Sequence, residues 1–128
     1  LAVRADGAAV LWGWLVPGGV RVDYLVIAPS GIFVISDAEI TGEIEAVAAM
    51  QLSSVVAAML ADGITLIGAP VRPLVAVGSL AESVEIAEVT FVPPAHLSRT
   101  ILRHKPEIGF DEVKQLTKLA LSRLTNPG

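Results

Sequence analysis

One stretch constrains the fold more than any other. Val20 to Ala28 reads VRVDYLVIA, Pro29-Ser30-Gly31 follows, and Ile32 to Ser36 is a second run rich in β-branched residues. The first run opens with alternation, Val20 and Val22 against Arg21 and Asp23, and then turns wholly apolar. That change predicts a strand whose first half meets solvent or a cleft and whose second half is buried on both faces. Pro-Ser-Gly is turn chemistry, and strands joined by so few residues pair antiparallel. A buried hairpin of this kind needs further strands beside it and helices over it.

The remaining segments supply them. Val10 to Val16 suits a strand, ended by Pro17-Gly18-Gly19. Glu43 to Val47 reads as a short edge strand after the break at Gly42. Ala48 to Ala61 changes to Ala, Met, Leu and Gln, which favour a helix with Gly63 as its C-terminal cap. Ile64 to Gly68, Leu74 to Val77 and Val89 to Val92 are short apolar runs bounded by Gly or Pro and read as interior strands. Pro93-Pro94 opens a helix running to about His104. A last helix spans Asp111 to Leu124, with Asp111 as N-cap and Val113, Leu116, Ala120 and Leu124 on one stripe. The expected class is α+β, a central mixed sheet flanked by helices.

Composition agrees. The chain of 128 residues is 53% hydrophobic, 17% charged and free of cysteine. It is long enough for one core, too apolar for disorder, and unable to form disulfides or cysteine-ligated metal sites. We expect residues 1–128 to form a single domain, cut from a longer protein because the first residue is Leu1. The longest charge-free stretch, Ala46 to Ala61, falls short of the roughly 20 apolar residues a membrane span needs. With no targeting pattern in view, a cytoplasmic location is expected. Charge is uneven: residues 1–92 hold three arginines and ten acids, a balance of −7, whereas residues 93–128 carry +3. Arg99, Arg103, Lys114 and Lys118 in this basic tail are the candidates for contact with nucleic acid.

Several chemistries lack their residues. His96 and His104 have no carboxylate pattern around them and read as surface histidines. There is no G-x-G-x-x-G or P-loop motif, and Ser53 and Ser54 have no nucleophile elbow. Tyr24, Phe33, Phe91 and Phe110 are too scattered for base stacking. Asp23 is different. A carboxylate inside a strand, just before a buried run, must be solvated, paired or metal-bound. The hairpin brings it toward Ser36 to Ala38, where an acidic patch begins with Asp37, Glu39, Glu43 and Glu45. Carboxylates meeting at a sheet end can form magnesium sites for phosphodiester hydrolysis, but by spacing alone an ordinary strand-end polar cluster is the favoured reading.

The run from Val22 to Ile35, with its Asp-Tyr strand, Pro-x-Gly turn and aromatic-aliphatic strand followed by Gly42, resembles the core of the nuclease-related domain (NERD) family. Gln51, the segment Val71 to Val77, Val92-Pro93 before a helix, and the closing helix match its further layout, so the resemblance covers the chain from about Val10. It implies a restriction-endonuclease-like αβββαβ core of the PD-(D/E)xK superfamily and metal-dependent DNA cleavage. Carried over by position, the first metal-binding acid is Asp23, the second acid falls on Ser36, the catalytic lysine on Ala38, and the family glutamine on Gln51. The family's N-terminal helix has no counterpart here.

Serine cannot supply the charge a Mg²⁺ ligand needs, and alanine has no functional group. Losing two of three groups that act together removes catalysis. Asp37 and Glu39 lie on the other side of the strand from Ser36 and Ala38 unless a bulge shifts them. Arg21 or Arg72 stays protonated and makes a poor base. The expected function is therefore an inactive nuclease-like domain acting as a binding or scaffolding module without a cofactor, its partner another protein, itself or, weakly, DNA. One alternative is a divergent Mg²⁺-dependent nuclease with ligands on Asp23, Asp37 and Glu39; another is a structural homo-oligomerisation domain.

Overall fold

A computed structural model describes residues 7–125. Its centre is a six-stranded mixed sheet of β1 (Ala9–Leu15), β2 (Arg21–Ala28), β3 (Gly31–Ala38), β4 (Val71–Val77), β5 (Val84–Ile86) and β6 (Val89–Val92). In space the order is β1-β2-β3-β4-β6-β5. The first three strands form an antiparallel meander, β4 and β6 run parallel to β3, and β5 runs antiparallel to β6. Two helices, α1 (Glu43–Met59) and α2 (Ala61–Ile67), connect β3 to β4; α3 (Leu97–Arg103) and α4 (Phe110–Arg123) close the fold. The α+β class and the mixed sheet flanked by helices are as expected.

The sheet is buried on both faces. On one, Leu25, Ile27, Ile32 and Val34 pack under Val56 and Met59 of α1 and under Val113, Leu116 and Ala120 of α4. Val75, Val77 and Phe91 continue that face beneath Ala46 and Ala49. On the other, Val26, Phe33, Ile35, Leu74 and Val92 meet Leu97 and Ile101 of α3. This arrangement absorbs the wholly apolar runs of β2 and β3. Pro73 sits in the middle of β4 at little cost, because β6 pairs with β4 only from Leu74 onward.

Gly31 makes the hairpin turn possible. Its φ is +130°, and a Cβ there would lie 2.9 Å from the Pro70 carbonyl oxygen. That oxygen accepts the Ile32 N–H at 2.8 Å. Only glycine allows the turn to approach the β4 side so closely.

Five expectations need correction. Glu43 to Val47 is the start of α1, not an edge strand: the Ala46 N–H donates to the Gly42 carbonyl, and Glu43 and Glu45 favour the positive helix N-terminus. Ile64 to Gly68 is not a strand but most of α2, ended by Gly68 in the left-handed conformation at φ 80°. Gly63 is therefore no cap; it lies inside α2, where a Cβ would come 2.8 Å from Leu119 of α4. The N-cap of α4 is Gly109, whose N–H donates to the Glu112 carboxylate at 2.9 Å, and Asp111 is already helical. The segment after Pro93 begins with a 3₁₀ turn at Pro94–His96 before α3.

No single described helix is long and apolar enough to cross a membrane; α1 and α2 pass that test only as a pair, and they are bent by 79°. Arg123 fixes the bend. Its guanidinium donates to the Met59 carbonyl at the end of α1 and to both carboxylate oxygens of Asp62 at the start of α2.

Candidate functional site: the fork at Asp23

The hydrogen-bonded register of β2 and β3 runs from Ala28 opposite Gly31 to Tyr24 opposite Ile35 and stops there. Each strand continues with its other neighbour, β2 with β1 as far as Arg21 opposite Leu15, and β3 with β4 as far as Ala38 opposite Val77. The sheet therefore forks one residue beyond Tyr24, and Asp23 stands in the fork. Its Oδ2 accepts the Asp37 backbone N–H at 3.0 Å, taking the place of a strand carbonyl. Its Oδ1 lies 3.5 Å from Nε of Arg21. The hairpin thus brings Asp23 to the Ser36–Ala38 segment, as its spacing suggests.

Local sequence explains the geometry. Asp23 would face Gly13 of β1, but the pairing skips both, passing from Trp12–Tyr24 to Trp14–Val22. Gly13 has a φ of +77°, and the Arg21 guanidinium lies 3.7 Å from where its Cβ would be. A left-handed residue at this point bends β1, and the absent side chain leaves room for the arginine. Sequence reasoning gave Gly13 no role. The ion pair was visible in principle, since residues two apart on a strand share a face.

The fork is a solvent-facing polar site. Asp23, Ser36 and Ala38 are half-buried, while Asp37, Glu39 and Gln51 are exposed. Ala38 packs against the cluster of Val75, Val77 and Phe91. Burial pushes the Asp37 carboxyl above its ordinary range, with the Asp23 charge adding to the rise and Arg21 opposing it. Both Asp23 oxygens face positive or N–H donors, so a divalent cation would have to displace them. Among the described residues no three His, Asp or Glu side chains converge as metal ligands; Asp23, Asp37 and Glu39 form no such group.

The four basic candidates are divided. Arg99 and Arg103 ride on α3, which packs on one face of the sheet, whereas Lys114 and Lys118 ride on α4, which packs on the other.

The other end of the hairpin holds a feature that sequence reading passed over. His104 is half-buried rather than a plain surface residue; its ring lies 5.5 Å from that of Phe33, over which Arg72 also sits at 5.9 Å. Burial, and then the positive charges of Arg72 and Arg103, hold the imidazole below its ordinary range. A cleft of about 380 Å³ opens beside it, lined by Ala28, Pro29, Leu102, His104, Ile108 and Phe110. Its signal in the sequence is faint: an isolated histidine, with its aromatic partner 71 positions earlier.

Comparison with protein-family models, curated proteins and solved structures finds no match to this chain.

Proposed function

We propose that this chain is a nuclease-like domain that no longer cuts and acts as a binding or scaffolding module. The observation that carries the reading is the state of Asp23. Its carboxylate closes the fork, bonded to the Asp37 N–H and paired with Arg21, instead of facing a second acid. The neighbours at the matching positions are Ser36, without charge, and Ala38, without any functional group. The succession of three antiparallel strands, a helical crossover and a parallel strand supports the reading, because it is the βββαβ order that the nuclease-related resemblance implies. Among the described residues no three carboxylates converge, which favours this reading over the divergent Mg²⁺ enzyme, since a working phosphodiesterase site holds its ion through several oxygens.

A plasmid-cleavage assay with Mg²⁺ or Mn²⁺ at high protein concentration tests this. The expected outcome is no metal-dependent nicking. Metal-dependent nicking that disappears in Asp23→Ala overturns the proposal and restores the enzyme.

A further inference from the structure

We propose that the cleft at the turn end of the β2–β3 hairpin binds a small carboxylic acid with an apolar body, its carboxylate on the His104 imidazole. The inference rests on that end of the hairpin and not on the nuclease-like reading.

The fold builds the cleft without help from a ligand. Its volume of about 380 Å³ falls in the lower part of the roughly 300–1,000 Å³ range of small-molecule sites. Segments distant in sequence lock its walls together. The Pro29 carbonyl accepts the N–H groups of Glu107 and Ile108 at 2.8 and 3.0 Å, and the Ser30 hydroxyl donates to the Ile101 carbonyl at 3.2 Å. Walls fixed in this way need little ordering when a ligand enters. Ala28 and Ile108 are buried, whereas Leu102 is 48% exposed and Phe110 63%. The apolar body of a ligand would cover those two side chains.

One lining group is left to orient a ligand. Among the side chains that line the cleft, Ser30 and His104 are the polar ones. The serine hydroxyl is already spent on Ile101. The imidazole touches the Phe33 ring, yet among the described residues neither of its nitrogens has a hydrogen-bond partner.

Charge decides what the ligand must carry. The charges that act on the imidazole are Arg72 of β4 and Arg103 of α3, both positive. Neither arginine has a carboxylate partner, because the ion pairs among the described residues are Arg21–Asp23 and Arg123–Asp62. Arg72 is half-buried, held over Phe33 by the Ser30 carbonyl at 2.9 Å. Lys105 adds a further positive charge beside His104. The acids of the same segment, Glu107, Asp111 and Glu112, pair with neither arginine, and Glu112 is taken up by the Gly109 N–H. A cationic ligand would add to the repulsion here, and a neutral one would leave it unopposed. A carboxylate opposes both guanidiniums and accepts a hydrogen bond from the imidazole, which takes up a proton as the anion binds.

The test uses three probes with one apolar body: 4-phenylbutyrate, 4-phenylbutyramide and 4-phenylbutylamine. Each is titrated into the protein at about pH 6 and followed by calorimetry and by NMR of the histidine ring protons. The acid should saturate with a Kd of about 1 mM or tighter. It should bind about tenfold more tightly than the amide, with the amine weakest. It should also raise the His104 pKa and leave unmoved that of His96, which does not line the cleft. Affinity should then fall as pH rises through the raised His104 value, because the imidazolium is lost. Arg103→Gln, at an exposed position, should weaken the acid about threefold and spare the amide. Phe110→Ala, also exposed, should weaken acid and amide alike. Failure of the acid to saturate by about 10 mM overturns the proposal. So does equal affinity for the three probes, a His96 shift that matches that of His104, or binding indifferent to both variants. None of these results would alter the absence of cutting.

Discussion

The two ends of the β2–β3 hairpin are built from the same pair of strands and held in opposite ways. At the turn, contacts come from far along the chain. The Pro29 carbonyl accepts the N–H groups of Glu107 and Ile108, the Ser30 hydroxyl donates to Ile101, and Arg72 donates to the Ser30 carbonyl at 2.9 Å. At the fork, the identified polar contacts are made within the hairpin itself, by Asp23 to Asp37 and by Arg21 to Asp23. The turn is sealed by the tertiary fold; the fork is closed locally and in contact with water. The difference shows where the domain tolerates change. Groups that other elements depend on cannot vary, whereas a site held by two side chains can change without loss of the fold.

The largest effect should come from the sealed end. Phe33 is fully buried and carries both Arg72 and the His104 ring. Phe33→Ala should cost about 3–5 kcal/mol in denaturant unfolding. A loss no greater than that of a fork substitution would erase the contrast between the two ends.

An intermediate effect should appear as pH dependence. The folded His104 imidazole titrates below its ordinary value of 6.5, so the unfolded chain takes up more protons in the window beneath that value. His104 therefore gives its full contribution to stability above pH 6.5, and that contribution falls as pH drops toward the folded value. His104→Gln should flatten this part of the stability–pH curve; an unchanged slope would remove His104 as its cause.

The smallest effect belongs to the fork. Asp23→Asn keeps an acceptor for the Asp37 N–H and loses only an exposed ion pair, so the expected cost is below about 1 kcal/mol. Because the Asp23 charge helps to raise the Asp37 carboxyl, the same variant should lower the Asp37 pKa, which a carboxyl NMR titration would show. A large drop in stability would mean that the fork supports the core after all.

Much of this contrast was legible in the sequence. The passage from alternating to wholly apolar residues after Asp23 marked where the hairpin enters the core, and the spacing around Pro29-Ser30-Gly31 placed Asp23 near Ser36 to Ala38. What escaped was decided by tertiary contact. Ile64-Thr65-Leu66-Ile67 is rich in β-branched residues and reads as a strand, yet Gly63 lets this segment settle as a helix against Leu116 and Leu119. Glu43 to Val47 misled for the same reason, its exposed Ile44 and Val47 imitating an alternating edge strand. β5 was hidden because its hairpin turns on Ala87 and Glu88, both at positive φ, 49° and 67°. Such two-residue turns ordinarily announce themselves with Asn or Gly, and here they do not. Gly13 escaped because a lone glycine in a strand does not reveal which side chain occupies the space above it.

The clasp of Arg123 on the α1–α2 bend has a consequence in time. Synthesis proceeds from the N-terminus, and Arg123 follows Met59 by 64 positions and Asp62 by 61. Until it emerges, the segment from Glu43 to Ile67, whose two helices pass a test of length and apolarity for a membrane span only as a pair, lacks that clasp. The nascent chain thus carries this apolar stretch early and the arginine that clasps its bend late. Once made, the clasp is hard to undo by acid, since the Arg123 hydrogen bonds lower the Asp62 carboxyl to about 2. The elbow, late to be set, then keeps its shape across mildly acidic surroundings.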